Sequence, residues 1–547
     1  MKSHHILFIA ALSGSLLACE GDKSSQNDQV DALFSKYNSK TTPGCALAVI
    51  ENGAIVYKKG YGMANLEYDI PNTTATVFDI ASVSKQFAGL AISTLVQEGK
   101  ISLDDDIRKY LPYVPDFGRK ITIQHLVDHT SGLRDWPQTL NVAGWRWDED
   151  FLFEDIVRMV KKQKDLDFDP GSKFSYSNTG YNMLAAIVEK ISGKSFREWS
   201  DENIFKPLAM NNSHFLDNHK AIIRNMAYSY SVSEGEIAKS PSALTAYGSS
   251  SLFTTVDDLC LWVIHFEKQI AAKNPIYLRM LTEGILNNGE KTQYAFGLGL
   301  DMQGGLQTVS HNGGWAGYRT AIVNFPNERI SVIVLSNASD FDSDGAALDV
   351  AKIFLKGKFK EESKGDVKQL PTVSTNVSFA KKCEGMYQLG PGWYVTISLD
   401  GDTLKTQASN EPEFPMVAKS DSVYWIDGYN AAMTFVTDKN GEVNSLRYKW
   451  ISSAKRVSPI AIDTSSFAAY AGIYHSEELS MEYTVSASNG KLTMFQIRLG
   501  EIDLSQDPVT PNQFSSRVGT VKFVGEKKFS GFLISGGRVK NLRFDKR

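Results

Sequence analysis

At 547 residues and 60.6 kDa the chain exceeds what one hydrophobic core accommodates, so two to four domains are expected. Its 42% hydrophobic, 22% charged and 11% aromatic residues are those of a globular protein and exclude a disordered chain. The formal charge of −4 leaves no basic surplus for a nucleic-acid partner.

The chain opens "MKSHHILFIAALSGSLLACEGDKSS", with a basic start, an apolar run from Ile6 to Leu17, then Ala18 and Cys19. About a dozen residues span only roughly 18 Å as a helix, short of a bilayer core of roughly 30 Å, so the run reads as an export signal. "LLAC" resembles the lipobox of bacterial lipoproteins. That resemblance implies lipid attachment at Cys19, with residues 1–19 as signal peptide and residues 20–30 as a polar tether. It also implies a cell-envelope location, on the periplasmic side of the outer membrane in a Gram-negative cell. The remaining Cys45, Cys260 and Cys383 have no disulfide or metal-ligand spacing. Cys45 and Cys260 sit in apolar runs and read as buried hydrophobes.

From Gly44, "GCALAVIENGAIVYKKGYGMAN" gives two β-rich runs around Asn52-Gly53, a strong hairpin signal. A helix carrying Ser82 follows. Between about Leu103 and Phe266, segments such as "EDIVRMVKKQ", "GYNMLAAIVEKIS" and "TVDDLCLWVIHF" show helical periodicity. "YRTAIVNFPNERISVIVLSNAS" is a second hairpin, turning at Pro326-Asn327-Glu328, before a helix at about Gly345 to Leu355. Strands at both ends with helices between them predict an α+β domain over residues 31–358: an antiparallel sheet beside a helical subdomain, with a cleft between them.

Residues 359–372, charged and punctuated by Pro371, read as a linker. The rest repeats: "CEGMYQL" matches "YAGIYHS", "DGDTLKT" matches "NGKLTM", and "EVNSLRY" matches "RVKNLRF". Two small antiparallel β-barrel domains, 373–458 and 459–547, are the expectation.

Ser82 and Lys85 stand at S-x-x-K spacing, as do Ser378 and Lys381, Ser452 and Lys455, and Ser488 and Lys491. Only the first pair leads a run of helix formers, which sets both residues on one face. A capping serine with a snorkelling lysine would also account for that pair taken alone. Two further stretches add to it: Tyr176-Ser177-Asn178, a Y-x-N before a helix, and His311-Asn312-Gly313-Gly314, before the second hairpin.

In this order the three motifs resemble the S-x-x-K, Y-x-N and K/H-x-G motifs of the penicillin-recognising serine hydrolases. The branch resembled is that of class C β-lactamases, DD-carboxypeptidases, D-aminopeptidases and related esterases. The resemblance covers about Pro43 to Leu355, and the tail resembles the paired β-barrels of D-aminopeptidase-like members; lipocalin-like barrels are the fold it implies.

The resemblance implies that Ser82 attacks a carbonyl to form an acyl-enzyme while Lys85 and Tyr176 manage its proton. With ordinary pKa values of about 10.4 and 10, one of these two must be lowered for a base to exist near neutral pH. Which one serves is left open. Asn178 is implied to hold the substrate amide or the Lys85 ammonium, and the N–H groups of Ser82 and Gly314 to form an oxyanion hole, with Gly313 and Gly314 allowing close approach to substrate.

His311 stands where β-lactamases carry lysine, which disfavours antibiotic hydrolysis. Asn312 stands where a hydroxyl residue binds substrate carboxylates, which disfavours a carboxypeptidase. The expected function is a D-amino-acid-directed peptidase acting on small peptides, amides or esters, cell-wall fragments among them. A carboxylesterase or β-lactamase is the alternative within the fold, and a non-catalytic penicillin-binding or envelope protein the alternative outside it. No cofactor is implied. His125 and His129 lack the glutamate of H-E-x-x-H, and Asp104-Asp105-Asp106 read as an acidic helix start, so no metal site is expected. Trp315 and Tyr318 read equally as pocket lining or as packing.

Overall fold

The computed structural model describes residues 25–360, 367–409, 411–449, 451–526 and 528–547. Cys19 lies outside them. They form two compact units, one of residues 25–139 and 145–360, the other of 140–144 and 367–547.

The first unit is built on a seven-stranded antiparallel sheet drawn from both of its ends. In spatial order it runs Tyr294–Ala295, Leu298–Gln303, Leu306–Trp315, Tyr318–Phe325, Ile330–Ser336, Cys45–Glu51 and Ala54–Tyr61. Asn52 and Gly53 close the first hairpin with φ of 53° and 77°, the two positive values that a two-residue I′ turn requires. The second hairpin turns through Pro326 to Arg329, joining Phe325 to its partner Ile330.

Cys45 to Ile50 are all fully buried, because both faces of this strand, next to the sheet edge, are covered. Cys45, Leu47 and Val49 face the helix Ser343–Phe354 through Ala347, Val350 and Ala351. Residues of opposite parity face the helix Val256–Ala271, where Ser331 Oγ donates to Glu267 Oε1 at 2.7 Å. Residues 25–34 are helical, with Val30 and Phe34 buried and Phe34 stacked on Tyr61 at 5.2 Å. The last part of the stretch read as a tether is thus packed on the sheet.

Residues between these strands form the helical subdomain, including Phe153–Lys162 and Asn178–Ser192. His125 and Thr122 cap the helix Ile123–Val127 reciprocally, and Asp106 caps a short 3-10 helix, Ile107–Lys109. Local capping accounts for both features, and no group of metal-ligating side chains is found among the described residues. Cys45, Cys260 and Cys383 are buried free thiols, their pKa values raised by burial.

The second unit holds the two repeats. Gly472 to Lys546 fold into a closed eight-stranded barrel, sealed where Tyr474 pairs with Lys546. Gly385 to Val457 form a nine-stranded sheet in which Gly385–Gly390 pairs with Ile451–Val457. Its end strands, Glu413–Pro415 and Val417–Ala418, do not pair with each other, so this copy is nearly closed. Pro415 pairs with Lys405, and Met416 N–H still reaches Leu404 O at 2.8 Å, so this end strand stays bonded to its one neighbour. The repeat extends to atoms: Tyr387 Oη donates to Cys383 O at 2.8 Å, and Tyr474 Oη to Tyr470 O at 2.7 Å.

Candidate active site

From Thr76 to Ser93 every residue is buried except Ser82. The chain enters along Phe78–Asp79, turns through Ala81 at a φ of 46°, makes a 3-10 turn over Ala81–Ser84 and continues as the helix Lys85–Gln97. A positive φ is strained for alanine, and the Asp79 carboxylate holds it by accepting the Ala81 N–H at 2.8 Å. Ser82 and Lys85 thus belong to a 3-10 turn rather than one α-helical turn. At three residues per turn the two side chains stack directly.

Lys85 is fully buried, and its Nζ lies within hydrogen-bond reach of Ser82 Oγ at 3.1 Å, Asn178 Oδ1 at 2.8 Å and Ser249 O at 2.7 Å. Two of these, the amide oxygen and the main-chain carbonyl oxygen, only accept. A neutral amine, with two N–H groups and one lone pair, would spend both N–H groups on them and turn its lone pair to the Ser82 hydroxyl. The same cage suits the ammonium that results from taking up that proton. Nζ also lies 4.8 Å from the centre of the Tyr176 ring.

Asn178 begins the helix Asn178–Ser192, capped by Ser177 Oγ accepting the Gly180 N–H at 3.3 Å. Asp135 sets its orientation. One carboxylate oxygen accepts both the Asn178 main-chain N–H at 2.8 Å and its Nδ2 at 3.0 Å. Because a carboxylate only accepts, the amide NH₂ must face Asp135 and the amide oxygen must face Lys85.

His129, at a φ of 57°, accepts the Ser177 N–H on Nδ1 at 3.0 Å and packs its ring 4.3 Å from that of Tyr176. The Y-x-N segment is therefore held from two sides, by Asp135 and His129, both just after the helix Ile123–Val127.

His311 faces the same cluster. Its Nδ1 lies 2.6 Å from Asn312 O, which can only accept, so Nδ1 carries the proton and Nε2 accepts from Tyr294 Oη at 2.9 Å. Burial, reinforced by the Lys85 charge, pushes its pKa down to about 3, so the ring is neutral at physiological pH. Burial also raises the Tyr294 phenol well above its ordinary value. Tyr294 is a phenol that the sequence motifs did not mark.

Gly313 is required for a different reason from the one expected. A Cβ there would stand 2.3 Å from Ile80 O and 3.0 Å from Ser82 N, so its bareness lets the strand close on the Ser82 turn. At Gly314 a Cβ would meet nothing nearer than Arg319, at 3.7 Å, and that side of the strand is open. Asn312 donates to Asp344 in a hollow of about 240 Å³ that Gly313 and Gly314 also line. Tyr318 is buried and donates to Ala227 O at 2.6 Å, which makes it packing, whereas Trp315 is partly exposed.

The S-x-x-K, Y-x-N and H-x-G residues thus converge within one unit. Sequence reasoning missed Asp135, His129 as a support, Ser249 and Tyr294. Asp135 follows directly on "HTSGLR" and Ser249 stands in "GSSS", but neither has a spacing that announces its partner.

The Beta-lactamase family model matches residues 30–355, and the chain belongs to that family, as a serine hydrolase. Penicillin-binding protein 4* of Bacillus subtilis (strain 168) is 28% identical over 465 residues, covering 78% of this chain and all of that protein. A D-aminopeptidase of Gluconobacter oxydans (strain 621H) is 27% identical over 296 residues, 54% of this chain and 56% of its own length. The chain thus spans about half of that relative. The octameric penicillin-binding protein homologue from Pyrococcus abyssi superposes with a TM-score of 0.56 at 24% identity, over 88% of this chain and 99% of that one, a likeness of fold.

Proposed function

We propose that this hydrolase cleaves amide or ester bonds of D-amino-acid-bearing substrates through an acyl-enzyme on Ser82. The observation that carries the reading is the Lys85 cage, with Nζ 3.1 Å from Ser82 Oγ and two pure acceptors at 2.7 and 2.8 Å. Ser82 Oγ attacks the carbonyl carbon as its proton passes to the Lys85 amine. The developing oxyanion takes the N–H groups of Ser82 and Gly314, donors worth on the order of 3 kcal/mol each. The C–N or C–O bond then breaks, and the leaving group collects the proton held between Lys85 and Tyr176. Water reverses the sequence to release the acid. His311, neutral, shapes the wall with Tyr294 and carries no proton in these steps.

The D-amino-acid assignment draws on the D-aminopeptidase relative and on the hollow beside Gly314. Asn312 there is already engaged by a carboxylate, Asp344, and Asp342 is a second acid beside it. Arg319 also lines the hollow, but its Nη1 is spent on the carbonyls of Ala316 and Tyr318. Two acids against one guanidinium leave the hollow without surplus positive charge for a substrate carboxylate, and an amide end suits it better. A panel of D-aminoacyl amides, D-Ala-D-Ala-ended peptides and short acyl esters tests the reading. The amides should have the highest kcat/KM, and fastest turnover of the carboxylate-ended peptides or of the esters would contradict it.

The export signal ending at Cys19 supports a lipid-anchored envelope protein. Labelled palmitate should enter the wild-type chain in a bacterial host and be lost in Cys19→Ser; equal labelling of both would refute the anchor.

A further inference from the structure

Five aromatic rings gather beside the Gly313–Gly314 strand, and the proposed chemistry uses none of them. Trp136 and Phe151 are buried and stack at 4.6 Å, with Trp315 5.8 Å from Trp136. Trp145 and Trp147 complete the group at 6.4 and 5.2 Å from Trp315. Trp147 is 52% exposed and Trp315 partly so, and with Ser240 and Pro241 they line a hollow of about 310 Å³, in the size range of small-ligand sites.

Both ends of the ring cluster are tied to the candidate active site. Trp315 lies two residues beyond Gly313, so strand alternation sets both on one face, the face on which Gly313 meets the Ser82 main chain. Two strand residues span roughly 7 Å. At the other end, Trp136 follows Asp135, the residue that orients Asn178.

The charges at the hollow are already matched. Asp148 pairs with Arg146 at 2.6 Å, and Lys239 with Glu67 at 2.7 Å. The Trp315 indole N–H is spent on Ser242 Oγ at 2.5 Å, which also fixes the ring plane. What is left to recognise a ligand is flat apolar surface, which favours offset or edge-to-face contact with another ring.

We infer that this hollow is a subsite for an aromatic side chain on the substrate that Ser82 attacks, so the enzyme selects aryl-bearing amides or esters over those with small side chains. The inference rests on the reading of Ser82 as nucleophile. Two fluorophosphonates, identical except for a 2-phenylethyl or an ethyl group, test both at once. In each, Ser82 Oγ bonds to phosphorus and fluoride leaves. The ratio of their second-order labelling rates is read within one protein, so any loss of folded fraction cancels.

In the wild type the aryl probe should react at least about tenfold faster. Trp147→Ala and Trp315→Ala should bring the ratio close to one, and Trp147→Phe should keep most of the preference. A wild-type ratio near one, or a preference that both alanine variants retain, would overturn the subsite while leaving Ser82 reactive. Failure of both probes on folded wild-type protein would instead overturn the nucleophile reading, and the inference with it.

Discussion

At the scale of single residues, the site turns on which atom of Asn178 faces Lys85. Nothing in Asn178 itself decides it; the Asp135 carboxylate does, by accepting two N–H groups from that one residue. Asp135→Asn keeps an oxygen for the main-chain N–H of the helix start but removes the charge that holds the side-chain NH₂. Losing a charge-assisted hydrogen bond costs about 1.5–3 kcal/mol, so acylation of Ser82 should slow by roughly ten- to a hundredfold while the circular dichroism spectrum is kept. Asp135→Asn labelling at the wild-type rate would show that Asp135 serves the helix start alone. His311 shows the same lesson. Its own neighbours decide its state: the proton sits on Nδ1 against Asn312 O and burial pushes its pKa to about 3, so at rest it is a neutral acceptor for Tyr294.

At the scale of elements, the Ser82 turn is a strained connection held by a buried acid. Asp79 lies under it, and burial pushes its pKa from 3.8 up to about 7, against the opposing Ala81 N–H. Between those values the folded chain holds a proton that the unfolded chain releases, so stability from this group falls as pH rises from about 4 to 7 and stays low above. The Asp79→Asn side chain would be uncharged throughout and would keep an oxygen for the Ala81 N–H. The Tm of Asp79→Asn relative to wild type should therefore be several degrees more favourable at pH 8 than at pH 4.5. A Tm difference that does not change with pH would remove Asp79 as the titrating group.

The elements were largely legible in the sequence, because their signals are local. Asn52-Gly53 can hardly be anything but a hairpin turn, and the helices around Ile156, Leu184 and Leu259 show their apolar period directly. What was hidden is what depends on distant partners. The Ala81 φ is imposed by Asp79 and by the strand that Gly313 lets close on the turn, so a 3-10 turn reads in the sequence as ordinary helix. Asp135 and Ser249 reach Lys85 and Asn178 across loops, and no spacing encodes that. Residues 25–30 read as tether because, of these, only Val30 is buried, packed on the sheet with Phe34 just beyond. Whether a barrel closes depends on which end strands meet, as Tyr474 and Lys546 do in one copy, and no local pattern encodes that.

For the whole molecule, each unit buries its own hydrophobic residues, and the candidate site lies within one of them. Ser82, Lys85, Asp135, Tyr176, Asn178, Ser249 and His311 all fall within residues 25–139 and 145–360. The second unit repeats a β domain twice, down to the tyrosine that bonds back four residues in each copy, and Tyr394 Oη joins the copies by donating to Asp507 at 2.8 Å. Among the described residues neither copy gathers a set of catalytic residue types, so a reactive serine is expected in the first unit only.

Labelling the full chain with a fluorophosphonate, followed by intact-mass and peptide analysis, tests the central claim most directly. The account predicts one adduct per chain on the peptide carrying Ser82, none in Ser82→Ala, and labelling at least about a thousandfold slower in Lys85→Ala. An adduct that persists in Ser82→Ala, or no adduct on folded wild-type protein, would contradict it.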